Sequence, residues 1–120
     1  VTASKLASEV ADVKAQNAIV VGGPCANEAA ATLLGNPADC AEGFTPGKAK
    51  IKLFENGDKV ALLVAGYAAD DTRAAGKALA AYKTNMFTGK EAEIERTGSV
   101  SEYKVVAATA AATTTTTTTQ

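Results

Sequence analysis

Two cysteines, Cys25 and Cys40, are the residues whose chemistry constrains this chain most, because they stand 15 positions apart in a sequence without a single histidine. No CxxC spacing accompanies them, so zinc and thioredoxin-like redox chemistry lack their ligands. A disulfide is the leading reading and a pair of buried free thiols the other. Closing a loop of that size contributes ~3 kcal/mol on the chain-entropy model. Gly22-Gly23-Pro24, between a strand and a helix, sits where unpaired amides cradle phosphates. It lacks the third glycine of a dinucleotide fingerprint and the Gly-Lys-Ser/Thr of a phosphate loop, and reads instead as a tight turn with Pro24 near the first helical position. Asp70 and Asp71, beside Thr72 and Arg73, have the side chains of an acid, a base and a guanidinium clamp. They read as a capped helix start with the arginine on its solvent face. The commonest acid–base and nucleophilic arrangements therefore have no carrier, and no catalytic residue, cofactor or metal ligand is expected. Finally, Lys48, Lys50 and Lys52 project from one face of one strand, and Glu91, Glu93 and Glu95 from one face of another. If the rows meet, within the molecule or between copies, they are complementary and set register and partner choice.

The elements that must position these residues follow from periodicity and turn chemistry. Leu6, Val10 and Val13 recur at helical spacing and predict a short helix within 2–16. Asn17 to Val21 is a short β-branched run that predicts a buried strand stopped by the Gly-Gly-Pro turn. A helix from about Asn27 to Leu34 ends at Gly35, and a turn-rich loop runs from Asn36 to Gly47. Lys48 to Leu53 alternates with period two, Asn56-Gly57 predicts a type I′ hairpin, and Val60 to Val64 returns as a central strand. After Gly66 the acidic first turn at Asp70 opens a helix reaching about Asn85. Glu91 to Glu95 and Tyr103 to Val106 are two further strands. Strand, glycine turn and helix thus occur twice, which predicts that the strands ending at Val21 and Val64 lie parallel and adjacent with their glycines at one edge of the sheet. The fold class is α/β: a small mixed sheet of Rossmann-like build with two strand–glycine turn–helix units and one hairpin, over residues 1–106. An Ala/Thr-rich tail follows at 107–120.

Four segments in order, Asn17 to Cys25, Leu34 to Cys40, Pro46 to Glu55, and Val64 to Tyr67 with Asp71-Thr72-Arg73, resemble the C-terminal domain of archaeal surface-layer (S-layer) proteins. The resemblance spans about Leu6 to Val106. It implies a secreted glycoprotein subunit of a paracrystalline or filamentous coat, with Cys25 and Cys40 bridged. Family members are usually several times longer, which leaves room for a thread, tube or sheath instead of a lattice. A more distant likeness is to bacterial wall-binding repeats, whose function would be adhesion to a wall polymer. A Rossmann-like enzyme is the third reading, to be recognised by a deep polar pocket beside the glycine turns.

Bulk properties agree with a structural role. The chain has 120 residues, 47% of them apolar but only 5% aromatic, with no Trp, so alanine supplies much of the core. A formal charge of −1 gives no surplus of cations for nucleic acid. No apolar run reaches the ~18 residues of a membrane span, and a start at Val1 suits a processed secreted chain. The tail resembles Ser/Thr-rich stalks that carry O-linked glycans. No Asn-x-Ser/Thr acceptor is present. The partner expected is the chain itself, in a homo-oligomer or polymer, with O-linked glycans or cell-wall polymer as further partners. Thr113, Thr114, Thr115, Thr116, Thr117, Thr118 and Thr119 are β-branched and uncharged, and are expected to add as a strand to a neighbour's sheet edge.

Overall fold

Alternation in the charged strands and unbroken apolar runs in the strands they flank resolve into one five-stranded sheet in the computed structural model, which describes residues 4–85, 87 and 89–107. The strands are β1 (Ala18–Val21), β2 (Lys48–Asn56), β3 (Lys59–Gly66), β4 (Glu91–Arg96) and β5 (Tyr103–Ala107). Their order across the sheet is β1-β3-β2-β4-β5. Only β1 and β3 pair in parallel, with Val21 opposite Val64; the other neighbours are antiparallel. Helix α1 (Glu28–Leu33) follows β1, α2 (Ala69–Ala80) follows β3, and a single turn, α3 (Tyr82–Asn85), follows α2. The mixed α/β architecture and the parallel pair are those the sequence predicts.

The helices pack on opposite faces. Ala29, Ala30 and Leu33 of α1 meet Val20, Ala61, Leu63 and Ala65. Ala74, Ala75 and Ala78 of α2 meet Ala49, Ile51, Val64 and Ile94 on the other side. Alanine in both layers lets backbone approach backbone, so contact area comes from proximity and not from side-chain length. The largest fully buried apolar side chains are Leu63, Ile94 and Val64.

Four details depart from the sequence reading. Residues 7–15 form two 3₁₀ turns, Ala7–Glu9 and Val13–Ala15, in place of a helix. Glu9 accepts from the Leu6 amide and Asp12 from the Lys14 amide, so short side-chain turns compete with a continuous helical ladder. The hairpin loop is Gly57-Asp58, because Asn56 pairs with Lys59. Gly57 alone has positive φ, 69°, which is the type II′ arrangement instead of I′. The helix after Asp70 breaks at Ala81, where φ and ψ are −96° and 33°. Ala107, grouped with the tail by composition, closes β5 opposite Ala92. Thr113 to Thr119 lie outside the described residues.

Candidate functional site

At the carboxyl ends of β1 and β3 the chain leaves toward opposite faces, and such a divergence opens a crevice in α/β sheets. Gly22 takes φ of 125°, a left-handed value that glycine alone adopts without strain. Its amide donates to Val64 O at 2.9 Å, tying the two turns together. Gly23 and Gly66 nearly touch: a Cβ on Gly23 would stand 3.1 Å from Gly66 O, and one on Gly66 would meet Thr72 N at 2.5 Å. The amides a phosphate would need are already used, since Asn27 Oδ1 accepts from Ala29 N and Ala30 N at 2.9 and 3.1 Å. Asn27 Nδ2 donates in turn to Val21 O at 3.0 Å.

Beside these turns lies an open cleft of about 380 Å³, walled by the Cys25–Cys40 disulfide, Pro24, Phe44 and Tyr67. The cysteines are bonded, with Cα atoms 5.0 Å apart, and this bond fastens the 36–47 loop to the start of α1. Apolar atoms dominate the cleft lining, which includes no carboxylate. Its cation, Arg73, pairs with Asp70 at 2.6 Å, and Thr72 Oγ1 accepts from Gly66 N at 2.9 Å. This is not the deep polar pocket that the enzyme reading calls for.

Asp70 and Asp71, adjacent in sequence, have different fates. Asp70 is exposed with Arg73, as expected. Asp71 is buried and joins three segments: its Oδ2 accepts from Gly47 N and Ala68 N, both at 3.1 Å, and its Oδ1 from Arg96 Nε at 2.9 Å. An acidic residue three positions into a helix signals the contact to Ala68. The partners at Gly47 and Arg96 have no local signature.

The two charge rows meet inside the molecule. Lys48, Lys50 and Lys52 stand opposite Glu95, Glu93 and Glu91 across β2 and β4. Lys52 reaches Glu91 at 3.9 Å, Lys48 reaches diagonally to Glu93 at 3.9 Å, and Lys104 of β5 reaches Glu95 at 3.6 Å. Lys50 and Lys52 also lie over the Phe44 and Phe54 rings, each 5.1 Å from the centroid. The ladder occupies the half of its face that α1 leaves uncovered. Lys48 and Lys52 are thus paired within the molecule, while Lys50 stands opposite Glu93 and lies over Phe44.

The outer edge of β1 is different in kind. Ala18-Ile19-Val20-Val21 has no charged residue, and Ile19 and Val21 are 66% and 58% exposed. Since Gly22 N bonds Val64 O, the even residues of β1 face β3, and the amides of Ile19 and Val21 turn outward. A groove of about 630 Å³ follows this edge, with Ala7, Val10 and Val13 of the N-terminal segment along its other side. The opposite edge, β5, carries Lys104, the kind of residue that discourages strand pairing. Alternation alone could not reveal β1 as an edge, because a continuous β-branched run reads as a central strand.

No family model, curated protein or solved structure matches this chain.

Proposed function

We propose that the chain is a non-catalytic structural subunit of an extracellular, self-assembling cell-surface layer or filament, of the kind its S-layer-like segments imply. The observation that carries this reading is the β1 edge: apolar, exposed, outward-facing in its backbone and bordered by a groove. An edge of that composition is a template for another strand, and monomeric proteins ordinarily block it with charge, proline or a covering loop. The Cys25–Cys40 bond supports an oxidising compartment outside the cytosol. The internally balanced Lys–Glu ladder supports a face that stays hydrated within an assembly.

A second reading, binding of a cell-wall polymer, draws on the cleft, where Tyr67 is half exposed beside Phe44 and Pro24. Aromatic rings offer flat apolar faces against which sugar rings can stack. Sedimentation of the purified chain separates the two. A self-assembling subunit forms large particles alone, with a regular repeat by electron microscopy. Monomers that shift only when wall polymer is added overturn the first reading in favour of the second.

A further inference from the structure

The pairing directions specify which surfaces meet in such an assembly, an inference that rests on the self-assembly reading. We infer that the acceptor is the outer edge of β1 and that the donor is Thr113 to Thr119 of a second copy, laid antiparallel to β1 along the groove. β1, β3 and β4 run one way and β2 and β5 the other. Chain leaving Ala107 in the direction of β5 therefore runs antiparallel to the β1 of a copy held in the same orientation. Antiparallel strands pair without a crossover.

Donor and acceptor lie at opposite edges of one sheet, so the contact is head-to-tail and propagates into a filament instead of closing a dimer. Residues 108–112 can span up to ~17 Å when extended, enough for the threonine tract to reach beyond its own β5. The chemistry matches on both sides of the added strand. Threonines of one parity set their methyl groups beside the exposed Ile19 and Val21, and those of the other parity enter the groove toward Val10 and Val13. The outward amides of Ile19 and Val21 and the Ile19 carbonyl supply the ladder, while the Val21 carbonyl already accepts from Asn27 Nδ2. The tract is uncharged, as is β1 itself, and Lys5 is the one charged residue among the described residues that line the groove.

The test compares the intact chain with Ile19→Lys, which blocks the acceptor at an exposed position, and with a chain lacking 113–120, which has no donor. Circular dichroism and intact-mass measurement of the disulfide confirm that each variant folds. The intact chain is expected to form filaments, and each variant alone to sediment as a monomer. Mixed together, the variants are expected to give 1:1 dimers, because one intact donor and one intact acceptor remain. Thr116→Pro, which removes an amide from the middle of the donor, should weaken assembly without altering composition elsewhere. Filaments from the tail-deleted chain with unchanged subunit spacing, or a mixture without dimers, overturn this joint while leaving self-assembly standing. An intact chain that stays monomeric at every concentration overturns the assembly reading and the joint with it.

Discussion

Replacing Asp71 by alanine is expected to cost this fold several kcal/mol. The carboxylate is 1% exposed and accepts from two backbone amides and one guanidinium. Each buried amide left without an acceptor costs about 1–3 kcal/mol. Arg96 would lose its ion partner, but its side chain is 28% exposed and it still donates to Gly98 O, so water offsets much of that loss. The two amides together come to about 2–6 kcal/mol, a large fraction of the 5–15 kcal/mol that ordinarily separates folded from unfolded. For a folded body of this size the melting temperature should fall by roughly 10–25 °C. Arg96→Met should also destabilise, by about 1.5–3 kcal/mol, because it leaves the buried Asp71 carboxylate with its two amides and no counter-ion. The double variant should be less destabilised than the sum of the singles, since the two groups share one bond. Thermal and urea unfolding of the four chains of the cycle measures all of this. An Asp71→Ala shift under about 5 °C, or strict additivity with Arg96→Met, would refute the idea that this carboxylate clamps the 47 turn, the start of α2 and the end of β4.

Three other outcomes can be checked. Gly66→Ala should destabilise by about 2–3 kcal/mol by overpacking, and more than Gly23→Ala, because its Cβ would be driven into Thr72 N and Asp71 Cβ at 2.5 and 2.6 Å; chemical denaturation ranks the two. Reduction of Cys25–Cys40 should lower stability by ~3 kcal/mol, and alkylation before reduction, followed by mass spectrometry, should label neither thiol. The Ser99 backbone amide, 2.8 Å from Glu102 Oε1, and then the Ser99 hydroxyl hold the Glu102 carboxyl below its usual range. A folded-state value below the unfolded one means that this contact favours the folded turn above about pH 4.3 and is lost as pH falls through the lowered value. The Ser99 amide resonance should move over that window, and Glu102→Gln should abolish the movement.

Much of the sheet was legible because its signals are local. Lys48 to Leu53 alternates, Gly66 stops a strand, and the repeated strand–glycine–helix order requires a parallel pair, found at Val21 and Val64. The charge rows were legible as rows, and their meeting across β2 and β4 supplies the register that periodicity cannot. What stayed hidden depends on neighbours distant in sequence. Asp71 looks like a helix-start residue until Arg96 arrives from 25 positions away. Ile19 and Val21 look like core until the strand order leaves β1 at the margin. The hairpin moved by one residue because Asn56 joins the ladder and leaves Gly57-Asp58 as the loop, a choice settled by pairing between strands.

The alanine packing of α2 on the sheet imposes an asymmetry on how this sequence can drift. Ala74, Ala75 and Ala78 are wholly buried and already minimal, so cavity-forming substitutions, a common route to damage in cores, are nearly closed to this helix. Any larger side chain must lift the helix from the strands, and overpacking of that kind costs about 1–3 kcal/mol per site. Leu63, Val64 and Ile94 face the reverse constraint, because shortening one leaves a void that layers set so close by small residues can fill only by sliding. Substitutions should therefore be accepted in matched pairs, one side chain growing where its neighbour across the layer shrinks, while the β1 edge and the solvated ladder vary independently of them.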